Sequence, residues 1–263
     1  MERLERRKQE EMEFHDKLRG IYEQDVERYE HFTSNKKFYA VVRQSVAHVN
    51  AWFREHCRDK RVLDFGCGDG RYSLLNGQWA REVVGIDISP ESVRICGEHA
   101  RERGLQDRVS FRVMDCEKLE FPDSSFDVVF EMGVLHHLDV TKAYAEMARV
   151  LGPGGQALCT EAVGHNPLIR LYRRRTPHLR TQWEAEHILR ARDIERAREH
   201  FGRIDMRFFH LAALGAVPFR GTRLFEPILG MLEGVDSALL RVPGLRWWAW
   251  QVVYVLSEPR KAR

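Results

Sequence analysis

One glycine run and two isolated carboxylates are the residues of this chain whose types and spacing most suggest chemistry. The run is Gly66-Cys67-Gly68-Asp69-Gly70, preceded by Asp64 and the apolar pair Val62-Leu63. A strand that runs straight into bare glycines and then into a helix brings a ligand close to the main chain, because a Cβ there would block the approach. The spacing is GxGxG, which differs from the GxGxxG of dinucleotide binders. Asp87 closes the next apolar stretch, where a carboxylate can accept both hydroxyls of a ribose. Asp115 closes the one after, and with the backbone amide of Cys116 it can read an adenine edge. Each acid alone could be a helix cap, and the glycines alone an ordinary turn. Three such positions at three successive strand ends converge on one crevice when the strands are parallel.

The elements that must hold these residues follow from the apolar pattern. From Arg61 onward, short apolar runs alternate with helical stretches, which predicts a parallel sheet of βαβ units. Strands are expected at Arg61 to Phe65, Glu82 to Asp87, around Val109, Phe111 and Val113, at Phe126 to Glu131 and at Gln156 to Glu161. Ser89-Pro90 supplies an N-cap and first-turn proline for a helix reaching Gly104. A helix from Asp139 is expected to stop at Gly152-Pro153. Further on, a helix is read from Trp183 to Phe201, and strands at Ile204 to Leu211 and Trp248 to Leu256. Residues 1–60 are read as an N-terminal helical cap, with a helix from Phe38 to His56. Within it the charge-dense first 19 residues are either part of the cap or a solvated helix. Residues 61–263 form the core, with lid or substrate insertions at about 165–190 and 212–247.

The chain resembles the class I S-adenosylmethionine (SAM)-dependent methyltransferases, in particular the small-molecule, ubiquinone-biosynthesis-like type 11 branch. The resemblance rests on Val62 to Gly70, Val84-Gly85-Ile86-Asp87-Ile88-Ser89, Asp115, Phe126-Asp127-Val128-Val129, Val134-Leu135-His136-His137-Leu138 and Arg149-Val150-Leu151-Gly152-Pro153-Gly154-Gly155. It implies a Rossmann-like, doubly wound α/β fold with a seven-stranded sheet whose last strand is antiparallel. It also implies SAM as the cofactor, with S-adenosylhomocysteine as product. Asp64, Gly66, Cys67 and Gly68 would meet the methionine part, Asp87 and Ile88 the ribose, Asp115 and Cys116 the adenine, and Glu131, Met132 and Gly133 the sulfonium. Tyr22 and Tyr29, seven apart and so on one helical face, would close over SAM in the manner of this family's cap helices.

Methyl transfer from a sulfonium is an in-line displacement, so a base is needed only when the acceptor arrives protonated. Within the resemblance His136 is the first choice for that base, His137 the second, and Glu161 a further base or acceptor-positioning group. A structural imidazole bonded to backbone is the alternative. The segment Asn166 to Thr181 concentrates arginines, and Arg174 and Arg180, with His187 beyond, are candidates for an anionic group on the acceptor; a solvated charge run is the alternative. The function expected is methylation of a small natural-product, quinone or lipid-like acceptor of secondary metabolism, at oxygen by preference. Rival readings are a C-methyltransferase acting on a prenyl or other anionic apolar acceptor, and an inert SAM-binding subunit.

The chain has 263 residues, 42 basic against 39 acidic side chains, and five cysteines with no CxxC pair. That balance gives no reason to expect nucleic acid, a disulfide framework or a metal. A cytoplasmic monomer or homodimer is expected, with no secretory signal or membrane-spanning run. The apolar insertion could wall an acceptor pocket, or be core or a dimer face, and the interleaved Arg207, Arg220, Arg223, Arg241 and Arg246 leave a peripheral membrane contact open.

Overall fold

A computed structural model describes residues 2–24, 36–176 and 181–261. Seven strands form one sheet: β1 (Arg61–Phe65), β2 (Glu82–Asp87), β3 (Val109–Val113), β4 (Phe126–Met132), β5 (Leu151–Ala162), β6 (Phe201–Phe209) and β7 (Gln251–Pro259). Their order is β3-β2-β1-β4-β5-β7-β6. The first five pair in parallel, and β7 runs antiparallel to both β5 and β6. The direction of winding therefore reverses between β1 and β4. That is where parallel sheets open a crevice at the carboxyl ends of their strands.

The strands read as unbroken apolar runs because both faces are covered. In β1, Val62 joins one core cluster while Leu63 and Phe65 join the other; Val83 and Val84 divide in the same way in β2. The main cover of the face that carries Val62 is α2 (Arg43–His56), which buries Val49, Trp52 and Phe53. This part of the expected cap is thus a layer on the sheet. The first helix, α1 (Glu2–Gln24), lies against α4 (Pro90–Glu102) and over the carboxyl ends of the strands. The glycine loop feeds α3 (Arg71–Asn76), and α5 (Val140–Val150) covers the opposite face with Ala143, Tyr144 and Met147. Ser89 caps α4 and Asp139 caps α5 by accepting main-chain N–H groups.

Four expected elements differ. The helix expected from Trp183 to Phe201 is broken into α7 (Gln182–Glu186; α6, Pro167–Arg175, precedes it), a second five-residue α-helix at Ala191–Glu195 and a 3-10 turn at Arg196–Glu199. Leu189 between them is extended, bridged to Val163, and its carbonyl accepts the N–H of Gly164 at 2.9 Å. The helix expected from Phe38 begins as a short turn at Lys36–Tyr39 and resumes only at Arg43. Gly152-Pro153 does not separate α5 from β5: the strand starts at Leu151, with a register shift against β4 between Phe126 and Val128. The late strands are displaced, since β6 already starts at Phe201 and Leu245–Trp248 is a 3-10 turn ahead of β7. The 212–247 insertion holds a 3-10 segment, Ala213–Phe219, and the helix α8 (Phe225–Leu239). No helix among the described residues is long and apolar enough to cross a membrane.

Gly66 fixes how the loop after β1 meets the loop after β4. Its φ is +82°, and a Cβ there would lie 2.6 Å from Val134 Cγ1. Gly66→Ala is expected to destabilise the fold by roughly 1–3 kcal/mol through left-handed strain and that overlap. Urea unfolding checks this, and a change below about 0.5 kcal/mol would show that the Val134 loop gives way freely.

Candidate active site

A cavity of about 220 Å³ opens at the carboxyl ends of β1, β2 and β4. Gly66, Gly68, Asp87, Ile88, Asp115 and Cys116 line it from the first three strand ends, and Met132 and Gly133 from the end of β4. The Asp87 carboxylate is turned by backbone: Oδ2 accepts the N–H of Gly68 at 2.9 Å and Oδ1 that of Ser89 at 3.0 Å. Each oxygen keeps a lone pair that a hydroxyl can use.

Three expected contacts lie behind this wall. The Asp64 carboxyl is buried and takes the Ser73 hydroxyl at 2.6 Å, and burial pushes it up to about 8. The Cys67 thiol is buried against Cys96, which together with desolvation raises it well above the ordinary thiol range. Glu131 is fully buried; its Oε2 accepts the N–H groups of Gly133 and Val134 and its Oε1 that of Thr160, all at 2.9 Å. It therefore braces the loop after β4 instead of facing a ligand. Tyr22 belongs to α1, and Tyr29 lies outside the described residues.

The roof comes from α1, through residues that the sequence reading passed over. Arg7, Lys8, Glu11, His15 and Arg19 line the cavity along one helical stripe. Lys8 Nζ lies 2.6 Å from Asp115 Oδ2, and Arg7 is buried against Glu117 with its guanidinium 4.8 Å from the Trp183 ring centre. Asp16 accepts the Ser89 hydroxyl at 2.5 Å. Glu11 pairs with His137 Nδ1 at 2.9 Å and accepts the Thr181 hydroxyl at 2.5 Å. Burial opposes ionisation of Glu11, but His137 and Thr181 outweigh it and hold its carboxyl below the usual range. Burial and neighbouring His137 lower His15. Glu11, His15 and His137 offer ligand atoms within 4.8 Å of one another, an arrangement the chain order conceals because Glu11 and His137 are 126 residues apart. The only available signal was the four-residue spacing of ionisable residues at 7, 11, 15 and 19.

A second cavity, about 360 Å³, lies across the short 3-10 turn Leu135–His137. His136 lines it, His137 lines the first cavity, and Leu138 borders both. His136 Nδ1 sits 2.8 Å from Glu161 Oε2, and its main-chain N–H donates to Glu161 Oε1 at 3.3 Å. Its Nε2 faces Glu184 at 3.9 Å. His187 also lines this cavity, stacked on Trp183 with ring centres 3.6 Å apart. The expected arginines are not there: Arg174 is exposed on α6, away from the lining, and Arg180 lies outside the described residues. The arginines that do line it are Arg190, Arg192 and Arg196, brought in by the break in the expected helix.

Residues 63–159 match the family model described as a methyltransferase domain. The matched segment is a methyltransferase domain. The methyltransferase domain is 38% identical over 107 residues to the uncharacterized methyltransferase YcgJ of Bacillus subtilis, spanning 40% of this chain and 42% of that protein. It is 39% identical over 99 residues to 27-O-demethylrifamycin SV methyltransferase of Amycolatopsis mediterranei, spanning 36% of each. The chain thus spans less than half the length of these curated relatives. Among solved structures, the [4+2]-cyclase SpnF superposes with a TM-score of 0.57 at 24% identity, over 82% of each chain. The fold is therefore the Rossmann-like methyltransferase fold, and a cyclase shares it, so the chemistry must be argued from the site.

Burial pushes the Glu161 carboxyl up to about 7, against the pull of His137 and of the His136 and Leu135 main-chain N–H groups. The unfolded value is near 4.5, so the native state binds more protons between the two. The stability this group contributes is complete below about pH 4.5 and is lost as pH rises through about 7. Wild-type stability relative to Glu161→Gln is expected to fall by on the order of 1–3 kcal/mol across that window. Urea unfolding of both proteins from pH 5 to pH 8 measures it, and a pH-independent difference would remove the assignment.

Proposed function

We propose that the chain transfers the methyl group of SAM to a small-molecule acceptor, at oxygen by preference. The observation that carries the proposal is the convergence of Gly66, Gly68, Asp87, Asp115 and Gly133 on one cavity at the switch point of the sheet. Asp87 would hold the ribose hydroxyls, and Asp115 with the Cys116 amide the adenine. Met132 and Gly133 would flank the sulfonium. The Lys8 ammonium occupies the Asp115 oxygen that an adenine amino group would use, so cofactor entry would exchange one donor for the other.

The acceptor would enter from the side of the second cavity, where Arg190, Arg192 and Arg196 suit an anionic group. His136 would take the acceptor's proton on Nε2, while Glu161 holds the ring through Nδ1 and stabilises the imidazolium that forms. In the transfer the S–CH3 bond breaks as the O–CH3 bond forms. The products are S-adenosylhomocysteine, the methyl ether and a proton on His136. His137, tied to Glu11 of the roof, would help to close the site over the sulfonium.

Asp87→Ala is expected to weaken SAM binding by about 1–3 kcal/mol, since two charge-assisted hydrogen bonds would be lost. Titration calorimetry with SAM checks it, and unchanged affinity would rule out the ribose role. His136→Ala is expected to keep SAM affinity and to lose turnover by about 100-fold or more. Single-turnover assays with a panel of hydroxylated acceptors test this; undiminished turnover would hand the proton to another group.

A further inference from the structure

Helix α8 buries Leu229 against the core together with its carboxylates, and leaves further apolar groups on its outer face. Glu233 and Asp236 are buried. Glu233 takes Arg43 through Nε at 2.8 Å and Nη2 at 2.6 Å, and Asp236 accepts the N–H groups of Leu211, Ala212 and Ala213. Glu226, in the first turn, is paired with the same Arg43 at 2.6 Å. From Pro227 to Ala238 no exposed position carries a charge, and Met231 is 62% and Val235 41% exposed. A water-facing helix ordinarily places its charged residues on that side. Five of the ten large apolar side chains that are exposed among the described residues, Phe219, Leu224, Met231, Val235 and Val242, lie on this one insertion.

The two ends of the helix carry the opposite chemistry. Arg220 and Arg223 precede it, beside the exposed Leu224, and Arg241 follows it, beside the exposed Val242. These arginines enter no ion pair among the described residues. We propose that this face docks on an anionic phospholipid bilayer, with Met231, Val235 and Leu224 at the acyl boundary and the arginines among the lipid phosphates. Charge selects this occupant over a second copy of the chain. Antiparallel self-packing of α8 sets each Arg223 against an Arg241, parallel packing sets like on like, and the one exposed carboxylate of the helix is already held by Arg43. The inference is independent of the methyl-transfer reading.

Sedimentation of the full chain with vesicles tests it, using phosphatidylcholine alone and an equal mixture with phosphatidylglycerol. Binding to the mixed vesicles is expected to exceed that to neutral ones by about tenfold or more and to weaken at about 0.5 M salt. The double variant Met231→Asp, Val235→Asp is expected to abolish it, with thermal melting unchanged because both side chains are exposed. Arg220→Ser with Arg223→Ser is expected to reduce it by on the order of tenfold without touching the apolar stripe. Equal or absent binding to the two vesicle types overturns the proposal. So does full binding by the Asp variant, or a dimer in sedimentation equilibrium that the Asp variant dissolves.

Discussion

Two carboxyl groups buried side by side, Glu131 at the end of β4 and Glu161 at the end of β5, are the constraint on which the site depends. Removing a carboxyl from water costs several kcal/mol unless its oxygens are satisfied. Here that cost is offset by main-chain N–H donors, most of them from the loop after β4: Gly133 and Val134 to Glu131 and His136 to Glu161, with Thr160 of β5 the remaining donor to Glu131. Burial and the neighbouring Glu161 hold the Glu131 carboxyl well above the usual range. The loop after β4 thus has one low-energy course, and along it Gly133 faces the first cavity and His136 the second. A substitution at either glutamate would act on the position of the histidines before it acted on any proton.

The roof obeys a different logic, because α1 meets the strand ends through charges. Its partners Asp115, Glu117, Ser89, Ser92 and His137 lie in three separate places, after β3, at the start of α4 and in the 3-10 turn, so the helix is registered on the sheet at several points at once. Contacts of that kind exchange with ligand groups and with water more readily than an apolar seam does. Under the proposed methyl transfer, a charged roof would suit a site that has both to exclude water and to release a product as large as its cofactor.

The parallel core was legible because strands covered on both faces are uninterrupted apolar runs, and because Asp87 and Asp115 end them at the positions where a parallel sheet opens. The caps at Ser89 and Asp139 were legible for the same local reason. What escaped depends on distant contacts. The Trp183 to Phe201 stretch has helical spacing, yet Leu189 is drawn straight by Val163 and Gly164, which no local propensity registers. Asp64, Cys67 and Glu131 were expected to touch the ligand because they sit in the right segments. Alternation sends the Asp64 and Glu131 side chains onto the faces of the sheet instead, and the Cys67 thiol turns in against Cys96. The stripe from Arg7 to Arg19 reads as a solvated face until its partners, 70 to 170 residues further on, are known.

The short turn Leu135–His137 is where these constraints meet. It separates the two cavities, Glu161 holds it from the sheet side, and Glu11 holds it from α1. An in-line transfer needs donor and acceptor within contact distance across this partition, and Leu138 is the residue that borders both spaces. Glu161 is fixed in the sheet, so the turn has little freedom on that side. The freedom lies with Glu11, whose helix is held by exchangeable polar contacts. His137 is therefore the residue through which the position of α1 and that of the turn are tied together.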